Sequence, residues 1–454
     1  MKRVWTLIGA ISLFMIQQVQ ALSLDDAKHL ALRTSFAASP ALVQQLLPLS
    51  KAQAIDYILN QPFDTAGVSV PEFITDPDPV VNQAKLSQKE RNQLRKQRNR
   101  ELMMLRANWI ERMIKTESPL HEQLLLIWHN HFTTSAQKVN DPILIYQQHA
   151  ILQRHALGRF DTMLRDVMAD PAILRYLDND KNQKGKPNEN LARELLELFT
   201  LGEGHYSEQD IKEVARALSG WGVDFKNRAM INRPQQHDTG RKTVLGQEGN
   251  WSTPDILTIL LSQPETAELI ISKLWQSFIS PAPDSKQVAT FAQAFSRSGY
   301  DIKEAMRQLL NSDAFWAAEN RGVLVKSPIE MLVGLYRSFA VTDAPYEQLA
   351  RMTVPMGQNL FTPPNVKGWP ISSVEWINTL TLLKRQTALN RLVRAKEMPM
   401  NEAQTMRNGL YDAIQDATAA QALLLLAIEP LSPATSNDTA TIINWLNDPV
   451  YQLK

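Results

Sequence analysis

The sequence predicts an all-α fold, a many-helix globular domain with a small β-hairpin near residues 225–245. Helix-start signals recur along the chain, in which Ser or Thr stands before Pro or three residues before an acidic side chain. Apolar residues follow most of these starts with helical periodicity. The stretch 225–250 interrupts this pattern with short apolar runs on either side of Asp238-Thr239-Gly240, which is typical of a hairpin.

The first residues predict a secretory signal peptide, residues 1–21. The start is positively charged, and the run from Val4 to Ile16 carries no charge. Val19-Gln20-Ala21 then supplies small residues at the −3 and −1 positions of a cleavage site. The apolar run is shorter than the roughly 20 residues that span a bilayer, although an uncleaved anchor is the alternative. We therefore expect a protein that is periplasmic or secreted, with no transmembrane span after cleavage.

The remaining chain, residues 22–454, is expected to form a single large helical domain. It holds no cysteine, which excludes disulfides and thiolate ligands, so stability must come from burial of the core. Lys and Arg number 48 against 47 Asp and Glu, and this balance argues against a nucleic-acid partner.

The predicted elements follow in order from local signals. Residues 62–79 and 354–376 are rich in Pro and predict loops, while the apolar run 420–428 predicts a buried helix. The predicted helix starts are Ser23 (to about Thr34), Ser39-Pro40, Ser87 (to Lys115), Ser118-Pro119 and Ser252-Thr253-Pro254.

The first candidate site is Trp128-His129-Asn130-His131-Phe132. Neighbours two apart on a helix point about 200° away from each other, so His129 and His131 cannot both ligate one metal from a continuous helix. Thr133 to Ser135 make a helix end plausible here. One interpretation is that one imidazole packs in the core while the other faces a cleft. The alternative is that at least one of them is catalytic or a ligand.

The second candidate is the helix that follows Pro187. A turn of 100° per residue places Glu189, Asn190, Arg193, Glu194, Glu197 and Thr200 in one polar arc. Asn188 can cap the start and Gly202 can end the helix. The arc is either a solvated face with ion pairs or a cleft in which Glu194 and Glu197 act as acid/base groups or ligands.

The loop before this helix imitates a calcium-binding EF-hand, with Asp178, Asp180, Asn182 and a distant Glu189. The imitation fails at the sixth position, where the sharp turn needs Gly and the chain has Gln183. Nearby lysines also oppose a divalent cation, so the sequence identifies no metal and no cofactor.

Two further candidates lie in irregular segments. Asp238 beside His237 can orient the imidazole, although Asp-Thr-Gly is equally simple turn chemistry. The segment Asn365 to Pro370 offers a Lys and a Trp in a loop, where binding residues are commonly placed. The basic run 85–106 is a solvated helix face or a contact to anionic surfaces.

These motifs together resemble the exported bacterial domain-of-unknown-function family 1800. The resemblance rests on L-L-L-I-W-H-N-H-F, on P-N-E-N-L-A-R-E-L-L-E-L-F-T-L-G, and on H-D-T-G-R-K, V-K-S-P-I-E, P-P-N-V-K-G-W-P and W-I-N. It implies an exported, largely α-helical protein without an assigned activity. It further implies an envelope system with a sulfatase-like exported partner.

The resemblance groups the motif residues into one constellation. We expect catalytic roles for His129, His131, Glu194, His237 and Asp238. We expect binding roles for Trp128, Asn188, Glu189, Asn190, Arg193, Lys242, Asn365, Lys367 and Trp369. The chain is then a binding or assembly partner of a sulfatase-like protein, a metal-dependent or acid/base hydrolase, or a scaffold without a small ligand.

Overall fold

The computed structural model describes residues 20–63, 67–78, 80–81, 85–370, 374–394, 409–435 and 437–454. The predicted signal peptide lies outside the described residues except for Gln20 and Ala21. Within the described ranges, none of the helices combines the length and the apolar character that crossing a membrane requires.

Helices dominate the described chain and confirm the all-α prediction. The first half contains α1 (Leu24–Thr34), α2 (Pro40–Leu46), α3 (Lys51–Leu59), α4 (Glu72–Thr75), α5 (Gln88–Lys115), α6 (Pro119–His131), α7 (Ala136–Val139), α8 (Pro142–His155), α9 (Phe160–Met168), α10 (Pro171–Tyr176), α11 (Asn190–Glu194) and α12 (Glu208–Ala217). The second half contains α13 (Thr253–Leu261), α14 (Pro264–Phe278), α15 (Ser285–Arg297), α16 (Ile302–Asn311), α17 (Asp313–Trp316), α18 (Pro328–Ser338), α19 (Tyr346–Thr353), α20 (Thr379–Val393), α21 (Leu410–Gln415), α22 (Ala419–Ala422) and α23 (Asp438–Asn447). Short 3₁₀ turns occupy Asn179–Lys181, Pro234–Gln236, Ala318–Asn320, Val354–Met356, Val374–Trp376, Leu423–Leu425 and Pro449–Gln452.

The predicted helix starts are confirmed, and their caps show why the helices begin there. At α5 the Ser87 hydroxyl accepts a bond from the Glu90 N–H at 3.3 Å, and the Glu90 carboxylate accepts one from the Ser87 N–H at 2.7 Å. This reciprocal pair satisfies two N–H groups that the first turn would otherwise leave without a partner. The helix then runs to Lys115, as the pattern predicts.

The predicted β insertion is present and consists of two small antiparallel hairpins. β1 (Trp221–Asp224) pairs with β2 (Ala229–Asn232), and β3 (Lys242–Val244) pairs with β4 (Gln247–Gly249). Residues 238–240 connect the two hairpins and do not form a hairpin tip.

The second hairpin turns at Leu245 and Gly246, with φ angles of +48° and +76°. Two successive residues with positive φ are the mark of a type I′ turn, which matches the twist of the flanking strands. Leu rarely adopts this conformation. The turn residues are Leu-Gly, and the Asn-Gly or Asp-Gly pair that usually identifies such a turn is missing at this position. This is why the pattern places the turn at Asp-Thr-Gly.

Two segments differ from the pattern in smaller ways. The loop 62–79 contains the one-turn helix α4, which follows Pro71. In the apolar run 420–428, α22 passes into the 3₁₀ turn Leu423–Leu425, and Ile428 is exposed. Pro430 follows closely, and a proline disfavours helical backbone in the residue before it.

The main hydrophobic core extends from Leu22 to Tyr451 and draws on nearly every helix. Trp109, Trp128 and Phe160 are among its largest fully buried side chains. Helix α6 runs through this core, with most of its residues buried. The Trp-His-Asn-His-Phe motif therefore ends a central helix.

Candidate functional site

The two imidazoles of α6 lie in the core on opposite sides of the helix. His129 is 7% exposed and His131 is 3% exposed. His129 contacts the rings of Trp109 and Phe361, with centroid distances of 4.7 and 5.5 Å, whereas His131 contacts Phe160 at 5.6 Å. The opposite directions follow from their spacing on a regular helix. Both side chains pack against aromatic rings, and neither faces a cleft.

His129 forms a pair with His149 of α8. The His129 Nε2 and His149 Nδ1 atoms lie 3.0 Å apart, so one nitrogen carries the shared proton and the other accepts it. Burial lowers the pKa of His129 to about 3. Burial, followed by the proximity of His129, also lowers the pKa of His149 well below its usual value. At neutral pH the pair is therefore uncharged and joins α6 to α8.

His131 has both ring nitrogens occupied. Its Nε2 lies 3.2 Å from the Phe199 carbonyl, which can only accept, and its Nδ1 lies 2.8 Å from the Nζ atom of Lys273. The ring is therefore neutral with its proton on Nε2. Burial lowers the pKa of Lys273 to about 7. Burial and then the charge of Lys273 lower the pKa of His131. This side chain serves as a bridge between α14 and the segment around residue 199.

Asn130, between the two histidines, is the residue that sequence reasoning missed. It turns away from the core towards the loop 365–370. Its Nδ2 donates to the Trp369 carbonyl at 2.7 Å, and its Oδ1 accepts the Trp369 N–H at 2.5 Å. The amide thus pairs with both main-chain groups of Trp369, as a neighbouring β-strand would. Its position inside the motif is the signal that could have identified it.

Gly368 allows this close approach. A β-carbon at this position would lie 2.0 Å from the Asn130 Oδ1 atom. Gly368 also has a φ angle of +81°, which side chains with a β-carbon disfavour. The contact with α6 therefore requires a glycine between Lys367 and Trp369.

The helix after Pro187 begins at Asn190, with Glu189 and not Asn188 in the N-cap position, and it then changes its pitch. The Asn188 Oδ1 atom accepts the Asn190 N–H at 3.0 Å, and the Asn188 N–H bonds to the Asn182 side chain at 3.1 Å. After α11 the chain forms a π-helix over Leu195–Thr200, with five-residue steps. The wider turn rotates Thr200 into the core, where its Oγ1 donates to the Leu195 carbonyl at 2.6 Å. A constant 100° step cannot anticipate this placement.

Arg193 forms ion pairs on the surface. It contacts Glu208 of α12 in a two-point arrangement at 2.8 and 2.9 Å, and Glu189 lies 3.7 Å away. Exposed pairs of this kind contribute little stability. Glu189 and Arg193 therefore form part of the solvated face that the sequence offers as one interpretation.

Glu194 belongs to a different group, which we call the Lys367 cluster. Its members share one half-exposed surface beside the π-helix, and they are Glu194, Glu197, Glu203, Tyr206 and Lys367.

The Lys367 ammonium holds the Lys367 cluster together. It lies 3.1 Å from a Glu203 oxygen and 3.8 Å from a Glu197 oxygen. The Tyr206 hydroxyl donates to the second Glu197 oxygen at 3.1 Å. Burial and then the charge of Glu197 raise the pKa of Glu194, while Lys367 opposes the shift. In the same loop, the Asn365 side chain accepts the Lys367 N–H at 2.9 Å and so shapes the backbone.

His237, Asp238 and Lys242 form a separate group between the hairpins. Arg216 donates to both Asp238 oxygens at 2.8 and 3.2 Å, and this contact lowers the pKa of Asp238 to about 2. The Lys242 ammonium donates to the carbonyls of Asp238 and Gly240, and the His237 Nδ1 bonds to the Ser219 carbonyl. Within the described ranges, no hydrogen bond or ion pair joins this group to α6 or to the Lys367 cluster.

In the EF-hand-like loop, lysine side chains form ion pairs with a carboxylate that would otherwise be available to a cation. Asp178 contacts Lys138 at 2.7 Å and Lys181 at 2.6 Å. Among the described residues, no group of three or more His, Asp or Glu side chains is arranged to hold a metal ion.

A pocket of about 80 Å³ opens beside the Asn130–Trp369 contact. Several segments that carry the family resemblance meet in its wall, which includes Asn130, Ser327, Glu330, Trp369, Trp376 and Lys454. Burial alone would raise the pKa of Glu330, but the neighbouring Lys454 ammonium lowers it below its usual value. The pocket therefore holds a fixed ion pair beside two indole rings.

The fold and this site define an all-α protein in which a central helix fixes a polar surface loop and an adjoining pocket. The chain belongs to the family described as "Protein of unknown function (DUF1800)", whose model matches residues 29–453. No curated protein and no solved structure matches the chain.

Proposed function

We propose that the protein is exported and acts as a binding or assembly partner of a sulfatase-like exported protein. The class of the partner comes from the family resemblance, and export comes from the signal-peptide pattern at residues 1–21. We assign recognition to the Lys367 cluster and the loop 365–370 that carries it.

The observation that carries this proposal is the fixed position of Lys367. Asn130 holds Trp369 by two hydrogen bonds, so the loop has little freedom although Lys367 itself is 63% exposed. A preorganised surface loses little conformational entropy on binding, and charges of both signs provide electrostatic selection of a partner. The histidines beneath the surface act as its support.

Gentle extraction from the native envelope followed by co-purification tests the proposal. We expect the native protein to retain a sulfatase-like partner and the Lys367→Glu variant to lose it, because the reversal repels Glu197 and Glu203. Lys115→Glu is the matched control, since Lys115 forms an exposed ion pair with Glu111 at the end of α5. Recovery of the native protein alone, also after chemical cross-linking, would contradict the proposal.

Export has its own test. The Leu22 N–H donates to the Leu49 carbonyl at 2.9 Å, and Leu22 is buried. The residue that would begin the mature chain is therefore already held by the fold. N-terminal sequencing of protein from the envelope fraction should begin at Leu22. An intact Met1 in that fraction would instead support the anchor alternative.

Acid/base hydrolysis is the second candidate, and the environment of Glu194 favours it. A carboxyl group with a raised pKa beside a second carboxylate is the arrangement that general-acid catalysis uses. Any hydrolysis of chromogenic ester, phosphate, sulfate or glycoside substrates should then be lost in Glu194→Gln and kept in Glu189→Gln, a control on the solvated face. Equal activity in both variants would remove Glu194 from the reaction. Metal analysis of the active protein separates the metal-dependent version from the purely acid/base one.

A further inference from the structure

A second, larger pocket lies between α5 and α19 and is not part of the site described above. Its volume is about 630 Å³, within the range of about 300–1,000 Å³ typical of small-molecule sites. Three arginines line it: Arg100 and Arg106 from the basic run of α5, and Arg351 from α19. Glu347 is the carboxylate among the lining residues. We call this the arginine pocket.

Arg106 is the buried cation of the arginine pocket. It is 9% exposed, its Nε donates to the Leu360 carbonyl at 2.9 Å, and its Nη2 donates to the Thr362 hydroxyl at 2.9 Å. Within the described ranges no carboxylate pairs with it, and its Nη1 makes no hydrogen bond. Burial of a charge without a counter-ion costs free energy, so an anion bound beside Arg106 would be stabilising.

Arg351 brings a second positive charge to the same space. Burial and then the proximity of Arg351 lower the pKa of Arg106 to about 10, so the Arg106 guanidinium remains charged at neutral pH. The Arg351 side chain is 63% exposed, and its contact with Glu347 is long, at 3.7 Å. The positive charges of Arg106 and Arg351 are therefore close to each other, and the Glu347 carboxylate offsets them only weakly.

The loop after α19 completes the polar wall. Asn359 lines the pocket, and its Oδ1 atom is buried without a hydrogen-bond partner. Phe361 has a φ angle of +61°, and its carbonyl accepts the Ala136 N–H at 2.9 Å. This fixed, left-handed residue sets the positions of the Leu360 carbonyl and the Thr362 hydroxyl that hold Arg106.

An apolar surface borders the charged wall. Met103 is partly buried and Met104 is 41% exposed, and both line the pocket. Methionine adapts its shape to varied apolar groups. The ligand that fits therefore has an anionic end and an apolar body.

We propose that the arginine pocket binds a tetrahedral oxyanion carried on an organic molecule, namely a phosphate or sulfate ester. The Nη1 group of Arg106 and the planar fork of Arg351 can donate to such a group together, and a tetrahedral anion offers more oxygens to converging donors than a carboxylate does. The ester's organic part lies on Met103 and Met104.

Calorimetric titration of the full chain with phenyl phosphate, phenyl sulfate, inorganic phosphate and benzoate tests this proposal. The two esters should bind, with inorganic phosphate weaker because it lacks the apolar part and benzoate weaker because it is planar. A preference between the esters identifies which oxyanion the site takes. Absence of binding by both esters at millimolar concentration would overturn the proposal.

Variants give opposite expected signs, which a purely structural role would not produce. Arg351→Gln should weaken ester binding by about tenfold or more, as expected for one lost charge-assisted contact. Glu347→Gln should strengthen binding, because it removes the opposing carboxylate. Arg95→Gln, on an exposed part of α5, is the matched control and should bind like the native protein. Equal affinities in the Arg351 and Arg95 variants, or weaker binding in Glu347→Gln, would refute the site.

Discussion

The contact between Asn130 and Gly368-Trp369 allows a quantitative test of how the loop is held. Asn130→Ala removes two hydrogen bonds to Trp369, each with a net contribution of about 1 kcal/mol, so we expect a loss of about 2 kcal/mol. Gly368→Ala should cost about 3 kcal/mol or more, because it combines a φ angle of +81° with a contact at 2.0 Å. In the double variant the clashing amide is absent, and Gly368→Ala should then add about 1–2 kcal/mol, because the positive φ angle and a 3.0 Å contact with the Asn130 carbonyl remain.

Hydrogen exchange at the Trp369 amide, together with urea unfolding, measures these energies. The Trp369 N–H should exchange about fivefold or more faster in Asn130→Ala, because its acceptor is gone. Asn365→Ala is a control within the same loop, since its side chain bonds the Lys367 N–H and forms no hydrogen bond with the residues of α6. Additive effects of the Asn130 and Gly368 substitutions would refute the steric reasoning, and unchanged Trp369 exchange would refute the two-bond contact.

Three further predictions concern pH and individual hydrogen bonds. Between about pH 7 and pH 5 the free energy of unfolding should fall by about 2 kcal/mol per buried imidazole, because the imidazoles bind protons in the unfolded chain but stay neutral in the folded state. The His149→Gln variant should show a smaller pH dependence in urea unfolding. Asp238→Asn should lower the free energy of unfolding by about 2 kcal/mol at neutral pH. The difference in stability between this variant and the native protein should narrow as the pH falls below 3.8 towards 2, where the Asp238 carboxylate becomes protonated and loses its ion pair with Arg216. Thr200→Val should cost about 1 kcal/mol in thermal or urea unfolding, whereas Thr387→Val, which removes a similar but exposed bond, should cost little.

Each of these predictions has an outcome that opposes it. An unchanged pH slope in His149→Gln would mean that the imidazole pair is accessible to protons in the folded state. A constant deficit of Asp238→Asn at all pH values would point to lost geometry and not to charge. Equal costs for the two threonine substitutions would show that the π-helical turn gains nothing from the buried hydroxyl.

Local signals in the sequence were sufficient for the helix starts that we predicted. The start at Ser87 was predictable because the capping box acts within four residues, and the helix to Lys115 follows from its composition. The turn at Leu245-Gly246 was not, because Leu at positive φ is held there by the strands that follow and not by its own preference. The π-helix at Leu195–Thr200 was likewise hidden, since its widening depends on packing against other segments.

The segments of the candidate site were predictable from the sequence, whereas the contacts that its side chains make were not. The motifs around Asn130, Glu194 and Lys367 do meet, as the resemblance to one family suggests. Histidines draw attention because they are common catalytic groups, yet His129 and His131 are enclosed by rings contributed from distant helices. The role of Asn130 is harder to predict because its partners are main-chain atoms. Every residue has the same main-chain groups, so the sequence does not show which residue Asn130 contacts.

This use of main-chain partners explains how the site is specified. Asn130 bonds the backbone of Trp369, His131 bonds the carbonyl of Phe199, and Lys273 bonds the carbonyl of Leu198 at 3.0 Å. Such contacts depend on where the backbone lies and not on which side chain it carries. Changes that alter backbone geometry should therefore disturb the surface more than changes of the side chains at those positions.

The contrast can be measured within one helix turn. Leu198→Met keeps the carbonyl that Lys273 contacts, and it should leave the stability within about 1 kcal/mol of the native value. Deletion of one residue within Leu195–Thr200 would restore α-helical spacing and move the carbonyls of Leu198 and Phe199 away from Lys273 and His131. Both buried groups would then lose a hydrogen-bond partner. A deletion variant that keeps native stability and native co-purification would show that the π-helix is incidental and that the surface is specified by its side chains alone.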